Sequence, residues 1–406
     1  MADNGGMNHP FDTAVDPAGQ KKGGRWPWTA VWAVVLFLCL QLPCWAQNPL
    51  KIGVSLGLTG RFAPMADALN KGFHLWERNV NADNGMLGRR VQVVVRDDQS
   101  DPERAKAIYR DLIEKERVDF LFAPYSSLIT DAVLPIADEH GIPMLIAGAA
   151  ADRLWEQGYR NAIGVYTPAS KFALGFMELL VLNDLNRIAI LYADDPFSVD
   201  LATHIQKWAP RLALNIVHIV EFRKGRTDLA PLMLDAKEKN AQVVMMCGHM
   251  NEAVQTVHAL KRIGWRPKAL YASVGPALQE FFERCGSDAD HVFATSLWEP
   301  RANYPGAKRF NQQFIEAYHE PPGYHAGLAY AAGQVLEKAV TEVGSFDRDK
   351  VRNALFNLDT MTIIGRFGVD QTGKQVRQHT FIIQWQHGRK ELVWPKAIKT
   401  AEPIFQ

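Results

Sequence analysis

Phe120-Leu121-Phe122-Ala123-Pro124-Tyr125-Ser126-Ser127 is the segment that decides the fold. Its first four residues form a short apolar run, the pattern of a strand buried on both faces. Pro124 ends the run, and two hydroxyl residues then open residues 128–140, which have helical spacing. The same cycle of strand, turn and helix continues outward on both sides. Residues 51–56 are β-rich, Thr59 and Gly60 make a turn, and residues 66–80 carry Leu69, Phe73 and Trp76 on one helical face. Asn84-Gly85 turns into a Val-rich strand at 90–96, residues 102–116 read as a helix, and 143–147 as a strand. Alternation at this spacing predicts βαβ units and a mostly parallel sheet.

A second series repeats the pattern. Residues 172–182 read as one helix, followed by strand 187–192, helix 199–208, strand 217–222, helix 229–239 and buried strand 243–247, with a further helix at 251–263 and strand at 269–272. Beyond Trp298 the chain offers helical stretches at 310–318, 326–343 and 350–357, then short strands at 366–369 and 380–385 around a turn at 371–373. That is too little strand for a third sheet. The expected fold is α/β, two Rossmann-like lobes joined by three crossovers near Thr167, Trp298 and Gly365. The lobes are expected to comprise residues 47–167 with 298–365, and 168–297 with 366–406. A chain of 406 residues fits two cores better than one.

Lys21, Lys22 and Arg25 precede an apolar run at 26–40, and Cys44-Trp45-Ala46 follows Pro43. A basic head, a short apolar core and small residues at minus three and minus one predict a signal peptide cut after Ala46, and hence a periplasmic protein. A retained anchor helix is the alternative, although the run is marginal against the ~20 residues that span a bilayer. Lipidation at Cys39 or Cys44 fits worse, since Leu38 and Pro43 precede them. Past the cleavage point only Cys247 and Cys285 remain; an oxidising compartment permits their pairing, while the apolar strand around Cys247 suits a plain buried thiol. Lys and Arg total 45 against 44 Asp and Glu, which leaves no general attraction to nucleic acid.

In open α/β sheets ligands lie beyond the carboxyl ends of strands. Tyr125, Ser126 and Ser127 occupy one such position, where hydroxyls and free backbone N–H groups suit an anion; a helix N-cap explains the serines equally well. Gly148, Ala149, Ala150 and Ala151 follow the next strand, small enough for close backbone approach or simply for helix packing. Asp194, Asp195 and Phe197 follow strand 187–192; the aspartates suit capping and the phenylalanine an aromatic wall. No nucleophile elbow, Walker loop or paired-histidine zinc motif is present, and the dinucleotide fingerprint is missing. His249, His258 and His325 are scattered, as structural histidines are; of these only His249 is taken as a ligand contact. No metal or other cofactor is implied.

The order of these segments resembles the leucine/isoleucine/valine-binding family of periplasmic receptors, which includes amide and urea receptors. The resemblance runs from Lys51 to the C-terminus. It is carried by Ile52-Gly53 through Thr59-Gly60, the turn at 81–88, Asp97-Asp98, Ala123 through Ser127, Gly141-Ile142-Pro143, Asp194-Asp195-Pro196-Phe197 and residues 365–373. It implies a solute bound in an interlobe cleft, hinge closure, and an inner-membrane ABC permease that recognises the closed form. The same resemblance implies that Ser126, Ser127 and backbone N–H groups at 149–151 hold a carboxylate, with Phe197 on the opposite lobe. Where amino-acid receptors of the family use a threonine and a glutamate for the α-ammonium, this chain has Ala151 and Val274. An ammonium buried without an acceptor costs several kcal/mol, so a hydrophobic or aromatic carboxylate lacking that group is the expected ligand. Phe62, Met65, Tyr166, Phe197 and Trp298 are the expected apolar walls. An ordinary branched-chain amino acid stays open as the ligand, as do a ligand-sensing ectodomain and a secreted enzyme as the function. A monomer is expected.

Overall fold

The computed structural model describes residues 48–406, so the basic and apolar N-terminal segment and the expected cleavage after Ala46 lie outside the described residues. Five strands, β1 (Leu50–Leu56), β2 (Val91–Asp97), β3 (Phe120–Phe122), β4 (Met144–Ile146) and β5 (Ala162–Gly164), form a parallel sheet in the order β2-β1-β3-β4-β5. Strands β3, β4 and β5 are buried at every residue, which explains their unbroken apolar composition. The helix Ala63–Ala82 buries Leu69, Phe73 and Trp76, as its spacing predicts. Against it lies the helix Tyr324–Val343. Gly333 makes the approach possible, because a β-carbon there would stand 2.0 Å from the Trp76 indole.

The second sheet holds β6 (Arg187–Ala193), β7 (Asn215–Phe222), β8 (Val243–Cys247), β9 (Ala269–Ala272) and β10 (Val292–Ser296) in parallel. A separate short hairpin, β11 (Thr360–Thr362) with β12 (Gly365–Phe367), precedes two more members of this sheet, β13 (Phe381–Gln386) and β14 (Arg389–Trp394). The order is β14-β13-β10-β9-β8-β6-β7. β13 pairs antiparallel with both β10 and β14, so the first sheet is wholly parallel and the second is mostly parallel with an antiparallel edge. β13 and β14 are joined by a two-residue connection, His387-Gly388, with φ of 52° and 71° at its two residues. Positive φ at both positions matches the twist of a tight hairpin.

The chain passes between the sheets after β5, after β10 and again before β13. The turn at Gly373 returns to the edge of the first sheet, where Gly164 N–H donates to the Gly373 carbonyl at 2.7 Å. The predicted helix at 172–182 is two helices, Ala169–Phe172 and Leu174–Leu182, that meet at Ala173. Cys247 and Cys285 are both free and buried, and burial pushes the Cys247 thiol far above its ordinary range. Among the described residues no helix is long and apolar enough to cross a membrane.

Candidate functional site: a cavity between the two sheets

Loops from the carboxyl ends of both sheets converge on one small cavity. From the first sheet come Tyr125, Ser126 and Ser127 after β3, Gly148, Ala149 and Ala150 after β4, and Tyr166 after β5. From the second come Phe197 after β6, His249 after β8 and Val274 after β9. The side chains stand so close that they leave little more than the room of one water. No lining residue is Asp, Glu, Lys or Arg.

The polar end is built by the helix Ser127–Glu139. Thr130 N–H donates to the Ser126 carbonyl at 2.8 Å and Thr130 Oγ1 donates to the Pro124 carbonyl at 3.0 Å, which fixes the turn. Ser127 Oγ accepts from the N–H groups of Ala150 at 3.1 Å and Ala151 at 3.0 Å. Those two amides, expected to face a ligand, are thereby committed to Ser127. The bonds leave the Ser127 hydroxyl proton available as a donor. Ser126 is the N-cap residue and 3% exposed, yet its side chain makes no capping bond. Two hydroxyls at a helix N-terminus, with its positive dipole end, form a site that favours an anion.

The other end is a hydrogen-bonded chain between the sheets. Tyr125 Oη lies 3.0 Å from His249 Nδ1, and His249 Nε2 lies 3.4 Å from Asp195 Oδ1. Lys224 Nζ donates to Asp195 Oδ2 at 2.7 Å, and Ser198 Oγ donates to the same oxygen at 2.8 Å. Burial opposes ionisation of Asp195, but the adjoining His249 and Lys224 outweigh it and hold the carboxyl far below its usual range. His249 is itself fixed as a helix N-cap, its backbone N–H donating to Glu252 Oε2 at 3.0 Å. Asp195 caps the helix Pro196–Trp208 through Ser198 N–H, so this aspartate serves both as cap and as counterion.

Phe62 backs the cavity instead of lining it: its ring centroid lies 5.3 Å from Tyr125 and 5.6 Å from His249, with Lys224 Nζ at 5.8 Å. Phe197 packs edge-on against Phe172 at 5.4 Å and tilted against His249 at 5.5 Å. Met65 and Ala151 are buried and absent from the lining. Trp298 also lies outside it, turned against Phe310 at 5.2 Å and against Gly327. One residue escaped the expectations for the site. His325, fully buried, stacks on Tyr324 at 4.0 Å and meets Tyr125 at 5.4 Å and Tyr166 at 6.4 Å. Its only signal in sequence was a histidine in the first turn of an apolar helix. Among the described residues no group of three or more His, Cys, Asp or Glu could hold a metal ion.

Residues 49–390 match the model of the periplasmic binding protein family. The Leu/Ile/Val-binding protein homolog 7 of Brucella suis biovar 1 (strain 1330) is 27% identical over 377 residues, spanning 88% of this chain and 94% of that relative. Among solved structures, a leucine-binding protein from Thermotoga maritima MSB8 superposes with a TM-score of 0.77 at 21% identity, covering 84% of this chain and 97% of that one. A solute-binding protein of an ABC transporter from R. palustris, in complex with benzoate, gives 0.77 at 19% identity, covering 88% and 99%. With two α/β sheets, three passages between them and a cavity at their facing strand ends, the chain belongs to the periplasmic binding protein family.

Proposed function

We propose that this chain is the solute receptor of an ABC importer, and that its solute is a small hydrophobic or aromatic carboxylate without an α-ammonium group. One observation carries the reading: the cavity wall offers hydroxyl donors at Ser126 and Ser127 but no carboxylate, and Val274 is among its apolar residues. The neighbouring acid, Asp195, is taken by Lys224, His249 and Ser198. An α-ammonium in this cavity would lose its water without gaining a counterion, at a cost of several kcal/mol. With the loops of the two sheets drawn apart to admit the solute, its carboxylate would accept from Ser126 and Ser127, and the aromatic rings of Tyr125, Tyr166 and Phe197 would enclose the apolar body. The benzoate bound by the R. palustris protein is of this class.

Solute contacts to both sheets favour the closed arrangement, which an inner-membrane permease would recognise. The lobes in this reading are residues 47–167 with 298–365 and 168–297 with 366–406, acting as a monomer exported by cleavage after Ala46. The names of the Brucella relatives favour a second reading, a branched-chain amino acid as solute. A thermal-shift panel of carboxylates and amino acids separates the two, because a ligand specific for the folded protein raises its melting temperature. Stabilisation by benzoate or phenylpropanoate supports the first reading; stabilisation by leucine or valine alone removes it.

A further inference from the structure

Tyr125 and His249 both line the cavity, and the bond between them joins the loops of one sheet to those of the other. The partners of His249 fix where a neutral ring carries its hydrogen. Asp195, ion-paired with Lys224 and bonded to Ser198 Oγ, only accepts, so the hydrogen sits on Nε2, 3.4 Å from Asp195 Oδ1. Nδ1 is then an acceptor, and Tyr125 Oη must donate its own hydrogen to it at 3.0 Å. A proton added to the ring reverses that bond: Nδ1 donates, Oη accepts, and the phenol hydrogen is released to the cavity.

We propose that the solute carboxylate binds together with one proton, taken from water by His249, which thereby positions the Tyr125 hydroxyl as a donor into the cavity. This rests on the carboxylate reading above and adds regulation of the same site by pH. His249 is the one lining residue whose side chain can take a positive charge. The groups around it leave an incoming anion unmatched, which is costly in a site that excludes water. Lys224 is already paired with Asp195, and Glu252, on the helix that His249 caps, accepts from the backbone N–H groups of Gly225 and His249. Arg61 and Lys224 stand 5.0 and 5.8 Å from the centre of the Phe62 ring, which packs between them and His249. Burial keeps Tyr125, Tyr166, Tyr324 and Cys247 protonated and uncharged. His325 does not compete for the proton, because burial and the His249 charge draw its pKa down to about 3.

Calorimetric titration of residues 47–406 with 3-phenylpropanoate, benzoate and 4-methylpentanoate, in buffers of different ionisation enthalpy from about pH 5.5 to 8.5, counts the protons bound with the solute. The complex holds the His249 proton more tightly than the free protein, so affinity is complete at acidic pH and is lost as pH rises. The wild type is expected to take up as much as one proton per solute, its affinity falling by up to about ten-fold per pH unit. His249→Gln, whose amide donates without titrating, should bind with no proton uptake and with an affinity that pH leaves unchanged. Tyr125→Phe should lose most of the uptake, so that its deficit against wild type is largest at acidic pH. Circular dichroism melting establishes that each variant is folded, and if one is not, the proton count of the other decides. Uptake that persists undiminished in a folded variant overturns the inference. Binding by the wild type without proton uptake at any pH also removes it and leaves the carboxylate reading standing; failure of all three acids to bind removes both.

Discussion

Ser127→Ala should injure binding and folding together. The structure gives two separate reasons. Ser127 Oγ is the acceptor for the Ala150 and Ala151 amides, at 3.1 and 3.0 Å in a buried loop. Removing it orphans both N–H groups, at about 1–3 kcal/mol of stability. Its hydroxyl proton is also a proposed donor to the solute carboxylate, and a hydrogen bond to a charged group is worth about 1.5–3 kcal/mol, or roughly 10- to 150-fold in Kd. Ser126→Ala provides the control, because Ser126 makes no capping bond. It should weaken binding by a similar factor while leaving the urea midpoint nearly unchanged. Calorimetry and urea unfolding on both variants read the two effects. Solute affinity within three-fold of wild type in Ser127→Ala would refute the assignment of this hydroxyl to the carboxylate. An unchanged urea midpoint would refute the role assigned to the amide bonds.

Val274→Glu places a carboxylate in the cavity wall, and it should lower affinity for aromatic carboxylates at least ten-fold while creating measurable binding of leucine, read by the same titrations. Tyr125→Phe removes the bond to His249 that ties one sheet's loops to the other's, and should weaken every ligand by a common factor of about five, near 1 kcal/mol, without changing their order. Asp98 tests pH dependence. Burial pushes its carboxyl up to about 6, against hydrogen bonds from Ser55 and Ser100 that favour the charged form. A raised folded pKa means that the stabilisation is complete below the unfolded value near 4 and is lost as pH rises through about 6. Asp98→Asn should therefore gain stability relative to wild type between pH 4 and 8, by about 2–3 kcal/mol in urea unfolding. A wild-type minus variant difference independent of pH would contradict this.

Four strands of the first sheet were legible, β3 and β4 as short apolar runs followed by Pro or Gly and β1 and β2 as β-rich segments, whereas the three-residue β5 was not expected. Strand β3 before Pro124 and β4 before Gly148 announced both themselves and the loops that build the cavity. The missing strands had weaker punctuation. His387-Gly388 closes a hairpin with the geometry that Asn-Gly usually signals, so β14 passed unnoticed. Ala173 breaks a helix at a residue with high helix propensity, and only the tertiary setting of Phe172, stacked on Tyr166 at 6.3 Å, distinguishes the two halves. Side-chain direction was less accessible still. Trp298 reads as an aromatic wall, but Gly327 opens a place for its indole away from the cavity. The position of His325 depends on Tyr125, Tyr166 and Tyr324, drawn from segments far apart in the chain, and no local pattern records that encounter.

The central claim is that this cavity accepts a carboxylate and has no partner for an α-ammonium. Isothermal titration of residues 47–406 with 3-phenylpropanoate and L-phenylalanine, and with 4-methylpentanoate and L-leucine, isolates that one group within each pair. The account predicts that at least one ammonium-free acid binds, and binds at least a hundred-fold more tightly than its amino acid, which is about 2.7 kcal/mol. Equal or tighter binding of the amino acid in the pair that binds would contradict it.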